Sequence, residues 1–345
     1  MSEIRSGTPV PAPQSRPSHG QVVFDAERLR VSFPTAHGDR LVAVDDISLS
    51  VRAGNMLGVV GESGSGKTTV ARCLVGLQAP DSGTITLCGS VVRGRRTPEQ
   101  RRAIQLVFQD PYASLNPRLR IGTVLRELLA THRLARGEAA EARCRELMAL
   151  VGLPPDALAS YPSGFSGGQR QRIAIARALA VEPSVLVADE PISALDVSVQ
   201  ATILALFADL RDRLGIGVVM ISHNLAAVRH VCDQVAVMYL GKVVEQGTRD
   251  AVFGDPRHPY TIALLAAAPR VRPGSTRVVA RLVGEPPSPT ARPSGCSFHP
   301  RCPRAESRCA EESPELLAVS PASPHVAACH FREERRTGSE PVSPP

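Results

Sequence analysis

Residues 61–68 read Gly61-Glu62-Ser63-Gly64-Ser65-Gly66-Lys67-Thr68, and Thr69 follows them. The glycines allow a tight turn in which successive backbone N–H groups point inward and form a concave anion cradle. Lys67 adds a positive charge for the β- and γ-phosphates, and the Thr68 hydroxyl is a hard oxygen ligand for Mg²⁺. This stretch therefore predicts a loop that binds a nucleoside triphosphate.

The segments on either side of the loop agree with this interpretation. Met56 to Val60 is an apolar run that predicts a strand, and residues 69–77 place apolar side chains at helical spacing. A strand, the loop and a helix whose N-terminus faces the phosphates form the context that this motif requires. The alternative is a glycine-rich turn that binds nothing.

Further apolar runs predict a parallel core sheet. Residues 185–188 and 218–221 are apolar without polar alternation, as in strands that are buried on both faces. Residues 123–152 have helical periodicity, and residues 235–239, followed by 240–242 and then 243–245, predict a β-hairpin. The fold class is therefore α/β.

Composition divides the 345-residue chain into four parts. Residues 1–20 and 333–345 are predicted to be disordered tails, because they are polar and rich in proline and serine. Residues 21–269 alternate strands and helices, and residues 270–332 form a smaller unit rich in proline, arginine and cysteine. No apolar run reaches the roughly 18 residues that a membrane span requires.

The net charge of +7 indicates an acidic partner only weakly. Basic residues are densest over 93–102, where no aromatic side chains are interleaved that could stack on bases. A solvated surface is therefore predicted there, and no nucleic-acid partner. The cluster consists of Arg93, Arg95, Arg96, Arg101 and Arg102.

Two carboxylates end the apolar run at 185–188. Asp189 lies where an acid at the end of a buried strand can hold magnesium beside the phosphate loop. Glu190 is expected to point the other way along an extended chain, where it could polarise a water for attack on the γ-phosphate. A structural carboxylate at the strand end is the alternative.

A second glycine-containing motif precedes a helical run. Ser166 is a good N-cap, and Gly167 and Gly168 leave backbone N–H groups accessible at the helix start, followed by Gln169. The motif predicts a second anion site, and a capped helix without a ligand is the alternative.

With this motif the chain resembles the ATP-binding-cassette (ABC) ATPases, over residues 21–269. The resemblance implies a P-loop NTPase of ABC type, with flanking helices, an antiparallel β subdomain and a helical subdomain at about 110–180. It implies ATP and Mg²⁺ as ligands and ATP hydrolysis as the activity. It also implies that Ser166, Gly167, Gly168 and Gln169 close on ATP held by the phosphate loop of a second subunit.

Other residues match the family by position. Phe33 resembles the aromatic side chain that stacks on adenine, with an ordinary core residue as the alternative. Gln109 resembles the glutamine that contacts Mg²⁺ and the attacking water. His223 resembles the histidine that senses the γ-phosphate, with a buried core imidazole as the alternative. Residues 193–196 resemble the loop through which the two ATP sites communicate.

The resemblance thus gives a complete set of site residues. Catalysis is assigned to Glu190, His223 and Gln109, and Mg²⁺ binding to Thr68, Gln109 and Asp189. Nucleotide binding is assigned to Phe33, Gly61, Ser63, Gly64, Ser65, Gly66, Lys67, Thr68, Thr69 and Asp189. Two positions depart from the pattern: Asn224 stands where an acid is usual, and Gly164 where relatives of this subtype often carry glutamate.

The C-terminal unit is similar to the extension of ATPase subunits from oligopeptide/dipeptide importers. The resemblance is carried by His258-Pro259-Tyr260-Thr261, which precedes this unit, then by residues 284–289, and then by Cys296, Cys302, Cys309 and Cys329. The resemblance implies a second ABC ATPase subunit, two transmembrane permease subunits and an extracytoplasmic solute-binding protein. It implies a heterodimer, with a homodimer as the alternative, on the cytoplasmic face of a bacterial membrane.

The four C-terminal cysteines leave several states open. A reducing cytoplasm argues against disulfides, and closely spaced cysteine pairs that favour zinc are absent from this pattern. A [4Fe–4S] cluster tolerates wider spacing, and the resemblance favours it over zinc or free thiols. The remaining cysteines are predicted to be small buried residues. They are Cys73, Cys88, Cys144 and Cys232.

Two functional alternatives remain beside an importer of peptides. The same type of subunit also serves importers of nickel complexes or sugars. A soluble ABC ATPase acting on nucleic acid or ribosomes is the other alternative, although such proteins usually carry two cassettes or a long coiled coil. A module that binds ATP without hydrolysing it is disfavoured by Glu190 and His223.

Overall fold

The computed structural model describes residues 17–35, 38–110, 114–267, 284–285, 287–288, 290, 292–321 and 323–333. Most of the two predicted tails, Pro111 and part of the 284–289 segment lie outside these residues. Residues 17–20, assigned to the first tail, form a turn in which the Gly20 N–H donates to the Ala53 carbonyl at 3.0 Å.

The elements of the described residues have the following bounds. The strands are β1 Val22–Pro34, β2 Arg40–Arg52, β3 Met56–Val60, β4 Ser82–Leu87, β5 Ser90–Val91, β6 Ile104–Val107, β7 Val185–Asp189, β8 Gly217–Ser222, β9 Gln234–Tyr239, β10 Lys242–Thr248, β11 Leu317–Ala318 and β12 Val326–Ala327. The α-helices are α1 Lys67–Val75, α2 Pro98–Ala103, α3 Ile121–Thr131, α4 Gly137–Leu150, α5 Gly167–Leu179, α6 Val197–Leu214, α7 Leu225–Val231, α8 Arg249–Gly254, α9 Pro259–Ala267 and α10 Ser307–Glu311. Short 3₁₀ turns span Pro155–Ala159, Pro162–Gly164 and His299–Arg301.

The strands form two sheets. The smaller sheet is antiparallel in the order β2-β1-β4-β5, and the larger has the order β11-β12-β10-β9-β3-β8-β7-β6. Strands β9, β3, β8, β7 and β6 run parallel, as the apolar runs predict. Strands β9 and β10 are antiparallel, which confirms the predicted hairpin.

Strand β3 lies between two hydrophobic cores and contributes to both. Met56 and Val60 pack into the core that the helices cover, whereas Leu57 and Val59 pack into the core beneath the antiparallel sheet. This alternation follows from the two-residue period of a strand. The phosphate loop therefore begins at the end of a strand that is fixed from both faces.

The helical stretch predicted at 123–152 is not continuous. Helix α3 ends at Thr131 and helix α4 begins at Gly137. Arg133 and Gly137 have positive φ values of 56° and 55°, which a helix interior does not allow. The predicted single helical stretch is therefore wrong over residues 132–136, and the two helices pack against each other.

Two further predictions about single side chains are wrong. Arg96 is buried, and its Nη2 donates to the carbonyl of Leu74 at 2.5 Å at the end of α1, where carbonyl groups have no partner within the helix. Cys88 is exposed in the turn between β4 and β5, whereas the other three scattered cysteines are buried as predicted.

The C-terminal segment extends the large sheet. Strand β12 pairs antiparallel with β10, with Ala327 opposite Glu245, and β11 pairs with β12. The Glu245 carboxylate is fully buried and accepts hydrogen bonds from the backbone N–H groups of Arg257 at 2.7 Å and His258 at 2.9 Å. It also lies 2.7 Å from Nε2 of His325, so this carboxylate joins the strand to the C-terminal segment.

Candidate nucleotide site

The phosphate loop connects β3 to α1 with the backbone geometry that its glycines predict. Gly64 and Gly66 have φ values of 78° and 99°, in the left-handed region that favours glycine. A Cβ atom on Gly66 would overlap the carbonyl oxygen of Ala43, and one on Gly61 would overlap that of Met238. Side chains at these two positions would therefore displace the backbone that forms the cradle.

Lys67 lies at the first position of α1 with only 5% of its surface exposed. Its Nζ donates to the carbonyl oxygens of Gly61 and Glu62, both at 2.8 Å. Burial lowers the pKa of Lys67, while the charges of Glu190 and Asp189 act in the opposite direction. The ammonium group is thus held beside the loop, where it can meet a phosphate.

Thr68 and Asp189 come together as the sequence predicts. Thr68 Oγ1 lies 3.4 Å from Asp189 Oδ1, at the end of β7. Burial raises the pKa of Asp189, and the hydrogen bond from Thr68 opposes this shift. A hydroxyl and a carboxylate are the hard oxygen donors that Mg²⁺ prefers, so the donor set fits this ion.

Glu190 leaves the extended path of β7. Its φ is 47°, and its backbone N–H donates to the Ile221 carbonyl at 2.9 Å. The prediction of an extended chain at this residue is therefore wrong, because the backbone turns immediately after Asp189. The turn brings Glu190 Oε2 to 3.1 Å from His223 Nδ1 and 3.4 Å from Gln109 Nε2.

The three residues assigned to catalysis thus meet at one carboxylate. The side chain of His223 is 58% exposed, which excludes a buried core imidazole. Gln109 Nε2 also lies 3.4 Å from Ser193 Oγ, which connects it to the 193–196 loop. This arrangement can hold a water molecule beside Glu190 and place a polar group on either side of it.

Asn224 has a local role in this structure. It is the N-cap of α7, and its Oδ1 accepts a hydrogen bond from the Ala227 N–H at 3.1 Å. An asparagine caps a helix as well as an aspartate does. The departure from the family pattern therefore preserves the start of the helix that follows His223.

Ser166 is the N-cap of α5, as predicted. Its Oγ accepts from the Gln169 N–H at 3.3 Å, and the Gln169 side chain accepts from the Ser166 N–H at 2.9 Å. Gly164 ends the preceding turn, where a Cβ atom would meet open space. In the described part of the chain, Ser166 and Gln169 make no hydrogen bond to residues 61–69.

Phe33 lies near the end of β1, opposite Leu41 of β2. Its side chain is partly buried and packs against the core beneath the antiparallel sheet. The ring is therefore anchored on one side by core residues and partly accessible on the other. One face of the ring thus contributes to the core, and the accessible side is available for stacking.

The C-terminal cysteines lie around one small cavity. Cys296, Cys302, Cys309 and Cys329 all line it, together with His258 and Phe298. Burial raises the pKa of the Cys296 thiol to about 11. Within the described residues, no group of three His, Cys, Asp or Glu side chains is arranged to hold a single metal ion.

Sequence reasoning missed the contacts that two side chains from the later part of the chain, Tyr260 and Arg301, make with the phosphate loop. Arg301 pairs with the Glu62 carboxylate at 2.9 Å, and the Tyr260 phenol oxygen accepts the Glu62 N–H at 2.9 Å. Tyr260 belongs to the motif at residues 258–261, but nothing in the sequence predicts its contact with a loop residue 198 positions earlier.

Comparisons with known proteins agree with the geometry. The ABC transporter family model matches residues 44–193, and the model of the oligopeptide/dipeptide transporter C-terminal region matches residues 244–309. The chain is 27% identical to the post-hydrolysis dimer of the ATP-binding cassette MJ0796 bound to ADP and phosphate, with a TM-score of 0.59 over 66% of this chain and 98% of that one. It is 27% identical to cbiO1 from Clostridium perfringens, with a TM-score of 0.60 over 68% of this chain and 91% of that one.

Curated relatives match over most of their length. The chain is 50% identical to the probable peptide ABC transporter ATP-binding protein y4tS of Sinorhizobium fredii, over 84% of this chain and 82% of that protein. It is 49% identical to the di/tripeptide transport ATP-binding protein DppF of Pseudomonas aeruginosa, over 85% of this chain and 90% of that protein. It is 45% identical to the dipeptide transport ATP-binding protein DppF of Escherichia coli, over 86% of this chain and 91% of that protein.

The two sheets, the phosphate loop and the acids at the end of β7 define an ABC ATPase, an enzyme that hydrolyses ATP with Mg²⁺. More particularly, the chain belongs to the family of ABC transporter ATP-binding proteins that carry the oligopeptide/dipeptide transporter C-terminal region. None of the helices that the structure describes has both the length and the apolar character of a membrane span.

Proposed function

We propose that this chain is the ATP-hydrolysing subunit of an importer of dipeptides or oligopeptides. Support comes from the match of its C-terminal region and from relatives named as peptide or dipeptide transport proteins. Importers of nickel complexes or sugars are the alternative substrates, and they become outcomes of the test below.

The observation that carries the proposed mechanism is the convergence of two side chains, those of His223 and Gln109, on Glu190 Oε2. His223 Nδ1 lies 3.1 Å from this oxygen and Gln109 Nε2 lies 3.4 Å from it. A carboxylate held by two neighbours in this way can orient a water for in-line attack on the γ-phosphorus. Glu190 would then accept the water proton, and His223 would donate a hydrogen bond to the γ-phosphate.

The other residues of the site would bind and neutralise the nucleotide. Residues 61–69 would surround the phosphates, with Lys67 against the β- and γ-phosphate oxygens. Thr68 and Asp189, with Gln109, would hold Mg²⁺, which supplies charge neutralisation when bound. Phe33 would stack on the adenine through its accessible side.

A second subunit would complete the site. Ser166, Gly167, Gly168 and Gln169 would reach the γ-phosphate that the partner holds, with the N-terminus of α5 facing its negative charge. We propose a heterodimer with a related ATPase, bound to two permease subunits and served by a solute-binding protein. The chain would lie peripherally on the cytoplasmic face of the bacterial membrane, and no nucleic acid would take part.

The test is ATP turnover in proteoliposomes that contain the complete complex. We expect turnover to rise when the solute-binding protein is loaded with a dipeptide, because substrate loading promotes closure of the ATPase pair. A binding protein loaded with nickel complex or sugar serves as the matched comparison. Stimulation by those solutes and not by peptides would overturn the substrate, and co-isolation with ribosomes or DNA instead of permeases would overturn transport.

We further propose that the four C-terminal cysteines hold a [4Fe–4S] cluster. They line one cavity, and the resemblance of this unit to the importer extensions favours such a cluster. A zinc ion, with Zn–S bonds of about 2.3 Å, would require its four sulfurs close together. A four-iron cluster is held by four thiolates, which is the number of cysteines that line the cavity.

Absorbance and metal analysis of anaerobically purified protein test this second proposal. We expect a brown protein with about four irons per chain, the stoichiometry of such a cluster. Zinc at about one per chain, or a folded and colourless protein without iron, would contradict it.

A further inference from the structure

Glu62 of the phosphate loop is held by three groups. Its backbone N–H donates to the phenol oxygen of Tyr260 at 2.9 Å, and its carboxylate accepts two N–H groups of Arg301 at 2.9 and 3.2 Å. Its carbonyl oxygen accepts from Lys67 Nζ at 2.8 Å. One loop residue thus connects the phosphate-binding lysine to two side chains from the C-terminal part of the chain.

The pair between Arg301 and Glu62 is largely removed from water. The side chain of Arg301 is 5% exposed and that of Glu62 is 23% exposed. The guanidinium lies 5.8 Å from the ring centre of Tyr239 and 5.9 Å from that of Phe298, so aromatic rings flank it. A bidentate ion pair in such surroundings fixes the orientation of its two side chains more strongly than an exposed ion pair does.

Tyr260 is held as firmly as Arg301. It is fully buried, and its ring centre lies 4.6 Å from that of Tyr239 and 5.5 Å from that of Phe298. Burial raises the pKa of Tyr260, so its phenol stays neutral and its oxygen accepts the Glu62 N–H. These aromatic side chains leave the hydroxyl group little freedom to move.

The same aromatic cluster borders the cysteine cavity. Phe298 lines that cavity and packs against Tyr260, and it lies two residues after Cys296. Arg301 immediately precedes Cys302, and its N–H donates to the Phe298 carbonyl at 3.0 Å in a 3₁₀ turn. Two of the cysteines therefore flank the turn that carries Arg301.

We propose that Arg301 and Tyr260 are positioning residues for the phosphate loop, and that occupancy of the cysteine cavity changes nucleotide affinity through them. A group bound by Cys296 and Cys302 would fix the turn between them and thereby the direction of Arg301 toward Glu62. The second half rests on the proposed [4Fe–4S] site, whereas the positioning role does not. By linkage, nucleotide binding must change the affinity for the bound group by the same factor.

The first experiment measures the Kd of a fluorescent ADP analogue with the isolated full-length chain. We expect Arg301→Gln to raise Kd about tenfold, within the range typical of coupling between sites. Arg308→Gln is the matched control, because it removes an exposed arginine paired with Glu312 on the same C-terminal unit. An unchanged Kd for folded Arg301→Gln would overturn the positioning role.

Further variants separate positioning from a general loss of structure. Arg301→Lys should recover part of the affinity, and Tyr260→Phe, which keeps the ring packing, should weaken binding less than Arg301→Gln does. In a double-mutant cycle, Glu62→Gln with Arg301→Gln should weaken binding no more than either change alone, because both remove one contact. Independent, additive effects would contradict the proposal even if one variant folds poorly.

The second experiment compares anaerobically purified chain before and after iron removal by a ferrous chelator. We expect iron removal to raise the Kd of the wild-type chain and to leave that of Arg301→Gln nearly unchanged. Equal Kd values for loaded and depleted wild-type chain would overturn the coupling. Both measurements use the isolated chain, so failure of the peptide-import proposal would leave their outcome unaffected.

Discussion

The phosphate loop and the C-terminal unit are built in opposite ways. The loop is formed by neighbouring residues whose backbone turns because glycine stands where φ is positive. The C-terminal unit is attached by contacts between polar side chains that are distant in sequence: Glu245 and His325 are 80 positions apart, and Glu62 and Arg301 are 239 positions apart. A local motif is visible in a sequence, whereas an attachment of this kind becomes visible only after folding.

The largest expected effect concerns the nucleotide region alone. Glu190→Gln should lower ATP turnover by about 10²- to 10⁴-fold, because the amide cannot accept the proton of the attacking water. ATP binding should persist, since phosphate binding is assigned to residues 61–69. Phosphate release and equilibrium binding measure the two quantities.

The matched control is Glu138→Gln, which changes an exposed carboxylate at the start of α4. Its turnover should equal that of the wild-type chain. Normal turnover in Glu190→Gln would show that the attacking water is oriented by another group.

The next largest effect is expected at the contacts of Glu245, which attach the C-terminal segment to the large sheet. Glu245→Gln should reduce the free energy of unfolding by about 3 kcal/mol, because the donors of Arg257, His258 and His325 lose a charged acceptor that is fully buried. Denaturant unfolding measures this change. Glu315→Gln, at an exposed site of the same unit, should leave the stability nearly unchanged. A loss of less than about 1 kcal/mol would show that the attachment depends on apolar packing instead.

A pair of glycine substitutions sharpens the account of the loop. Gly64→Ala and Gly66→Ala should each lower the free energy of unfolding by about 1–2 kcal/mol, because both residues have positive φ. Gly66→Ala should cost more and abolish ATP binding, since its methyl group would overlap the Ala43 carbonyl, whereas Gly64 faces open space. Thermal unfolding of the two variants would refute this account if their losses were equal.

The smallest effect is a difference in thiol reactivity. Among the four cysteines outside the C-terminal unit, Cys88 should react readily with iodoacetamide because it is exposed. Burial raises the pKa of Cys73 to about 11, so near pH 8 almost none of the reactive thiolate forms there. Peptide mapping should show modification at Cys88 first and at Cys73 only after unfolding. Equal labelling in the native chain would contradict the burial of Cys73.

The parts that could be predicted share a short range in sequence. The strand, loop and helix around Lys67, the cap at Ser166 and the hairpin at β9 and β10 each follow from a few neighbouring residues. The meeting of Thr68 with Asp189 was also predictable, because carboxyl ends of parallel strands lie at one edge of a sheet.

The parts that could not be predicted depend on distant contacts or on single backbone angles. Arg96 looks like a surface residue until α1 presents its terminal carbonyls to it. The turn at Glu190 has a positive φ in a residue type that gives no sign of it. Arg301 was one arginine among many, and only the fold brings it to Glu62.

The pairing of β12 with β10 has a practical consequence for anyone who shortens this protein. Removing the chain beyond residue 267 would make β10 an exposed edge strand of the large sheet, with unpaired N–H and C=O groups along it. The same cut would remove His325, the hydrogen-bond partner that lies 2.7 Å from the buried Glu245 carboxylate. A trimmed cassette of this kind should self-associate through that edge strand and precipitate.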